Sequence, residues 1–199
     1  MKLPKFDSLG NLPERIYPCN KEMIHAFLVA PFPSSLERQA IYDGFCLLHS
    51  TVESLGVNAI QWIDGSFTTR KLDPADLSVE LEPGDVDIVT FIDYNTLNAL
   101  LPIDQQRIAN LLNAHEGTKA KYRTHTFLVA ACGYGHPYYN IFERQRAYFR
   151  DIFSRHSPPS TRQIGELEQP YPEDAPRKGV LSITIGNPML VPHVKEARK

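Results

Sequence analysis

The chain has 199 residues, 42% hydrophobic and 22% charged, which suits one domain with a sizeable core. Its formal net charge of −2 excludes a general electrostatic drive toward nucleic acid and leaves a local basic patch as the route to it. No apolar run is long enough to span a bilayer, Met1 to Phe6 lacks the apolar stretch of a signal peptide, and Cys19, Cys46 and Cys132 form no Cys-x-x-Cys pair, so reduced thiols in a cytoplasmic protein away from membranes are expected.

Residues 1–20 carry Pro4, Pro13 and Pro18 and no periodicity, which predicts an extended arm laid over the domain. A short helix is predicted over 21–29, broken by Pro31 and Pro33. A long helix follows over about 36–55, capped by Ser34 or Ser35; Ser34 with Glu37 has capping-box spacing. Its Ala40, Ile41, Gly44, Phe45, Leu48, Val52 and Leu55 make one core-facing stripe, and Gly56 ends it. A strand over 57–64, a polar insert over 68–82 and a second apolar strand to about 93 come next. Residues 95–115 have helical spacing with a break at Pro102, and 122–131 form the third predicted strand. A loop marked by Gly133, Gly135 and Pro137 leads into an aromatic-rich helix over 138–156, with Arg144, Arg146, Arg150 and Arg155 outward. The proline-rich stretch 157–177 is expected as a surface loop, 178–185 as the last strand and 187–199 as a mobile tail. This order predicts a single domain over 1–199 of the α+β class, with a mixed sheet of four or more strands flanked by helices.

The chemistry concentrates where the first two strands meet. The first runs through Gln61, Trp62, Ile63 and Asp64 and ends at Gly65-Ser66. The second opens with Asp85 and Asp87, whose spacing of two puts both carboxylates on one side of the sheet. Two carboxylates so placed repel each other unless a cation lies between them. Such oxygen ligands suit Mg²⁺ or Mn²⁺, with water and substrate phosphates completing the shell. A Gly-Ser turn beside them offers backbone N–H groups to those phosphates. Asp76, in the echo Pro74-Ala75-Asp76-Leu77-Ser78, is the ligand in an alternative register; Asp85 and Asp87 are preferred because a strong apolar strand follows them. The bland alternatives are a solvated turn after Pro83-Gly84 and a plain turn at Gly65-Ser66.

Gly65-Ser66-Phe67, followed by Asp85-x-Asp87 on the next strand, resembles the signature of the polymerase-β-like nucleotidyltransferase superfamily. With Leu12-Pro13-Glu14, the run from Trp62 to Thr69, the run from Pro83 to Asp87, and Lys178-Gly179-Val180, the chain is similar over most of its length to a small bacterial family within it. The resemblance implies a nucleotidyltransferase-like fold that binds a nucleoside triphosphate with Mg²⁺. It implies transfer of a nucleoside monophosphate to an acceptor hydroxyl on RNA, a protein side chain or a small molecule. Asp85 and Asp87 are then the metal ligands and catalytic residues, and Gly65, Ser66, Thr68 and Lys178 the nucleotide-binding ones. Relatives in toxin–antitoxin or phage-defence loci add a protein partner to the expectations. Active members carry a third carboxylate on a later strand; the stretch from Lys121 to Leu128 has none, and His125 stands at the matching position. Histidine can act as a general base near neutral pH, so His125 is a candidate catalytic residue, and a hydrogen-bonded structural histidine is its rival reading. The departure leaves a second expectation open: a catalytically impaired nucleotide-binding or partner-binding regulatory module. His136, Tyr138 and Tyr139 are candidates to line an acceptor pocket.

Overall fold

A computed structural model describes residues 3–70, 73, 76, 79–113, 115–155 and 177–187; most of the predicted loop over 157–177 and the tail beyond Asn187 lie outside the described residues. The described strands are β1 (Ile16–Pro18), β2 (Ala59–Asp64), β3 (Val86–Asp93), β4 (Thr124–Ala131) and β5 (Val180–Ile185). They form one mixed sheet in the order β1-β5-β2-β3-β4. The outer pairs, β1 with β5 and β3 with β4, are parallel, and the central pairs, β5 with β2 and β2 with β3, are antiparallel. The helices are α1 (Lys21–Leu28), α2 (Leu36–Glu53), α3 (Tyr94–Ala99), α4 (Pro102–Asn113), α5 (His115–Tyr122) and α6 (Tyr139–Ser154), with a 3₁₀ turn at Ser66–Thr68. This is the α+β architecture that the element order predicts.

Helices cover both faces of the sheet, which explains why β2 and β3 are apolar almost throughout instead of alternating. Ile63, Ile88, Ile92 and Leu181 face one way and pack with Ile24 and Leu28 of α1, Phe45 and Leu48 of α2, and Ile108 and Leu112 of α4. Trp62, Val89, Phe91 and Val129 face the other way, onto Phe142, Phe149 and Phe153 of α6. Among the described residues no helix is long and apolar enough to cross a membrane.

Two local differences from the sequence reading, and one alternative that it left open, have physical causes. The N-terminal arm lies over the domain, but its Ile16–Pro18 enters the sheet beside β5. A three-residue strand is too short to show alternation, and Pro18, lacking an N–H, is suited to this edge position. The cap of α2 is Ser35, whose Oγ accepts from Arg38 N–H at 3.1 Å, one residue later than the capping-box spacing suggests. The third predicted strand starts at Thr124, not 122, because α5 runs through Tyr122 and Arg123 then turns the chain with φ 52°. That helix escapes sequence reading because it is mostly polar and shows no apolar stripe.

Candidate functional site

β2 ends, and β3 and β4 begin, at the same edge of the sheet. Register sets Asp64 opposite Asp87, and Asp87 opposite His125. Val86 and Ile88 point into the core under α1, α2 and α4, so Asp87 projects to the α6 face; Asp85 precedes the strand, and its carboxylate meets Lys119 of α5, the helix whose end packs on α2. Their side chains remain 23% and 32% exposed for Asp85 and Asp87 respectively. Strand alternation therefore fixes the face of Asp87 alone, since Asp85 lies just before β3.

The Gly65 bend lies directly against Asp87. Gly65 has φ 91° and ψ −169°, a conformation that L side chains rarely adopt. A Cβ there would stand 2.7 Å from Asp87 Oδ2 and 3.1 Å from Asp87 N. Ser66 opens the 3₁₀ turn, and its hydroxyl lies 3.3 Å from both Asp85 O and Gly84 N, donating to the first and accepting from the second. Ser66 thus ties the bend to the chain that delivers Asp85. Thr68 is turned inward: it is buried, and its Oγ1 lies 3.3 Å from Asp64 Oδ1 and 3.1 Å from Gly65 O. It holds the bend rather than facing a ligand.

Beneath the bend sits a residue the motif contained but to which the sequence reading assigned no role. Asp64 closes β2 and pairs with Lys178, Oδ1 to Nζ 2.7 Å, with side chains only 7% and 5% exposed. Burial pushes the Asp64 carboxyl up to about 6; Lys178 pulls it down, and the negative charge of Asp87 adds to the rise. Like charges directly opposite each other on antiparallel strands are destabilising. Here the Asp64–Asp87 pair is flanked by Lys178 on one side and His125 on the other. A third carboxylate thus stands beside Asp87, on β2 and not on β4. Its sequence signal was an aspartate ending an apolar run immediately before Gly-Ser. Lys178 is a buried counter-ion rather than a solvated strand-end lysine.

Two cations of the chain engage the exposed carboxylates. Lys119 of α5 places Nζ 2.6 Å from Asp85 Oδ2, and His125 places Nδ1 3.3 Å from Asp87 Oδ1. The hydrogen bond to Asp87 raises the His125 pKa, burial opposes it, and the charges of Asp87 and Asp85 add to the rise. Hydrogen bonding to Asp85 likewise raises the Lys119 pKa. Both carboxylates act on both cations, so the four groups form one electrostatic unit. Among the described residues no group of three or more His, Cys, Asp or Glu is arranged to hold a metal ion by itself. Mg²⁺ does not need such a cage, because it takes one or two carboxylates plus water and phosphate oxygens. Two partly exposed carboxylates beside a bend that leaves no room for a Cβ fit that donor set.

Arg38 was missed as well. It is 1% exposed and donates to Phe67 O at 2.9 Å, Thr69 O at 2.8 Å and Leu28 O at 3.3 Å, so it fixes the turn after Gly65 from behind. Asp76 lies in a turn, its N–H bonded to Asp73 O at 3.2 Å, and the strand register that would make it a ligand is taken by β3. His136 and Tyr138 stack around Tyr94, with ring centroids 4.4 and 5.7 Å from it. Tyr94 follows the far end of β3, roughly 20 Å from Asp87 at the rise of an extended strand. Tyr139 opens α6 at that same far end. These three residues therefore do not line a pocket at the carboxylates. Among the described residues Cys19, Cys46 and Cys132 are free thiols.

No curated protein and no solved structure matches the chain. One family model matches residues 4–184, a span that includes every residue of the site just described. The chain belongs to that family, a family of unknown function designated DUF6932.

Proposed function

We propose that this protein is a nucleotidyltransferase-like enzyme, which binds a nucleoside triphosphate with a divalent cation and moves a nucleoside monophosphate to an acceptor hydroxyl. The supporting observation is the contact of the Gly65 bend with the Asp87 carboxylate, because it joins a cation-binding pair and an anion-binding turn in one place. Asp85 and Asp87 would hold Mg²⁺ or Mn²⁺, which when bound neutralises phosphate charge and polarises the phosphoryl oxygens. As at any helix start, the first N–H groups of the Ser66–Thr68 turn lack partners within it and suit the outer phosphates. Lys178 keeps Asp64 charged beneath the bend, so the site retains negative charge near Asp87. Once Asp87 is otherwise engaged, His125 loses the hydrogen bond that raises its pKa, so more of the ring is neutral and open to accept the proton of the attacking hydroxyl.

The test is calorimetry with each nucleoside triphosphate and Mg²⁺, followed by labelled-nucleotide incorporation into cell extract. Wild type binds and incorporates, and Asp87→Asn lowers incorporation by about 100-fold or more. Absence of triphosphate binding by wild type would end this reading. A regulatory module that binds nucleotide without turnover is the second reading. It is favoured by His125 standing on β4 where a carboxylate is expected, and by the chain's own cations already pairing with Asp85 and Asp87. Binding without incorporation selects it, and a protein partner belongs with it.

A further inference from the structure

Lys178 serves two neighbourhoods. Its ammonium meets Asp64, and the residue also lines a cavity of about 100 Å³ on the α6 side of the sheet. Glu14, Arg15, Arg150 and Ser154 complete the polar lining. The walls are stitched together by backbone. Val180 N–H donates to Arg15 O at 2.8 Å, and Lys178 N–H donates to Ser154 O at 2.6 Å. The arm before β1, the start of β5 and the last turn of α6 are thereby fixed around one hollow.

Its charge runs against that of the whole molecule. Three cations and one acid, Glu14, line it, on a chain of net charge −2. Behind Ser154, Arg155 and Arg177 both pair with Asp151, and Arg177 also donates to Ser154 Oγ at 2.7 Å. Lys178 is 4% exposed and Ser154 6%, so polar groups sit deep in the hollow while Arg15 and Arg150 stand exposed at its mouth. An ammonium has three donors, and the carboxylate oxygen of Asp64 takes one of them. Donors and cations so arranged call for an oxyanion.

Size narrows the ligand further. The hollow is well under the ~300–1,000 Å³ of a pocket that encloses a whole small molecule. It admits a chemical group, not a nucleoside. Two arginines and a lysine in the lining supply the guanidinium and ammonium donors that tetrahedral phosphate oxygens accept. We propose that this hollow is a phosphate subsite, filled by one phosphate group of a larger ligand, with Lys178 shared between that phosphate and Asp64. The group comes from a nucleic-acid strand or from a phosphorylated small molecule. The binding claim stands on the cavity alone. Identifying the phosphate as the acceptor's rests on the nucleotidyl-transfer reading, through the link Lys178–Asp64–Asp87.

The experiment is calorimetric titration at low salt, first with inorganic phosphate and then with a short single-stranded RNA. The proteins are wild type, Arg15→Gln, Arg150→Gln and, as a control, Arg107→Gln, an exposed position on α4 across the sheet. Wild type takes up inorganic phosphate with a Kd of about 1 mM or below. Arg15→Gln and Arg150→Gln each weaken it by about tenfold or more, the usual loss for a hydrogen bond to a charged group, and Arg107→Gln leaves it unchanged. RNA that binds more tightly than phosphate, and is weakened by the same two variants, identifies a strand as the source. RNA that binds no better identifies a phosphorylated small molecule. Absence of saturable binding by either probe, or binding that Arg15→Gln and Arg150→Gln leave intact, overturns the subsite. Triphosphate binding with Mn²⁺ is followed in the same proteins and in Asp85→Asn. If triphosphate fails to bind while the subsite fills, the functional reading falls alone. If triphosphate binds and phosphate does not respond to the arginine variants, the subsite falls alone.

Discussion

Asp87 answers to three neighbours at once: Asp64 opposite it, His125 on the next strand and the Gly65 bend against its oxygen. Its hydrogen bond raises the His125 pKa above the ordinary 6.5. A base with a raised folded-state pKa stabilises the fold below its unfolded value of 6.5, and that contribution is lost as pH rises through the raised value. NMR titration of the His125 ring is therefore expected to give a midpoint above 6.5 in wild type and a lower one in Asp87→Asn. On the proposed function, Mg²⁺ with triphosphate is expected to lower the wild-type midpoint too, because the metal and the ring then compete for the same carboxylate. A midpoint indifferent to Asp87→Asn would show that the ring takes its proton from another environment. At this scale the strand position of Asp87 and the bend at Gly65-Ser66 were legible, since alternation and turn chemistry are set within a few residues. Lys119 and the burial of Asp64 with Lys178 were not, because their partners come from distant parts of the chain.

α2 shows why propensity misleads when a helix is crossed at close range. Gly44 sits in its middle, where Ala would gain about 1 kcal/mol of intrinsic helix stability. A Cβ at that position would run into the carbonyl oxygen of Tyr122, where α5 ends. Gly44→Ala is expected to destabilise by about 1–3 kcal/mol, the usual cost of overpacking. Thermal unfolding should show this as a Tm lower by several degrees for a chain of this size. A higher Tm would mean that the end of α5 backs away at little cost. The helical stripe of α2 was legible, but its partner was not, since α5 gives no periodic signal and the crossing depends on where that helix stops.

Across the whole molecule Arg38 connects what the topology keeps apart. It reaches the end of α1 at Leu28 O, the turn after β2 at Phe67 O and Thr69 O, and the insert at Glu80, 3.7 Å away. Burial lowers its pKa, and the charges of Glu80 and Glu82 act against that. Arg38→Met removes the donor to three backbone carbonyls and leaves Glu80 with one cation fewer. Breaking a buried charge network of this kind costs about 3–5 kcal/mol. Chemical denaturation should register that loss, and calorimetry should register weaker triphosphate binding as the bend after Gly65 loosens. A loss below about 1 kcal/mol would show that water replaces the guanidinium without consequence.

The amino-acid sequence determined the α+β class, the principal helices and the two apolar strands that carry the glycine bend and Asp87. All of these follow from periodicity and from backbone geometry over a few neighbouring residues. Only the tertiary structure decided which charges meet. It drew Ile16–Pro18 into the sheet, buried Asp64 against Lys178, brought Lys119 and His125 to the carboxylates, and closed a cationic hollow around the end of α6. Electrostatic partnership depends on distance through space and on loss of water, and neither is written in the order of residues along the chain.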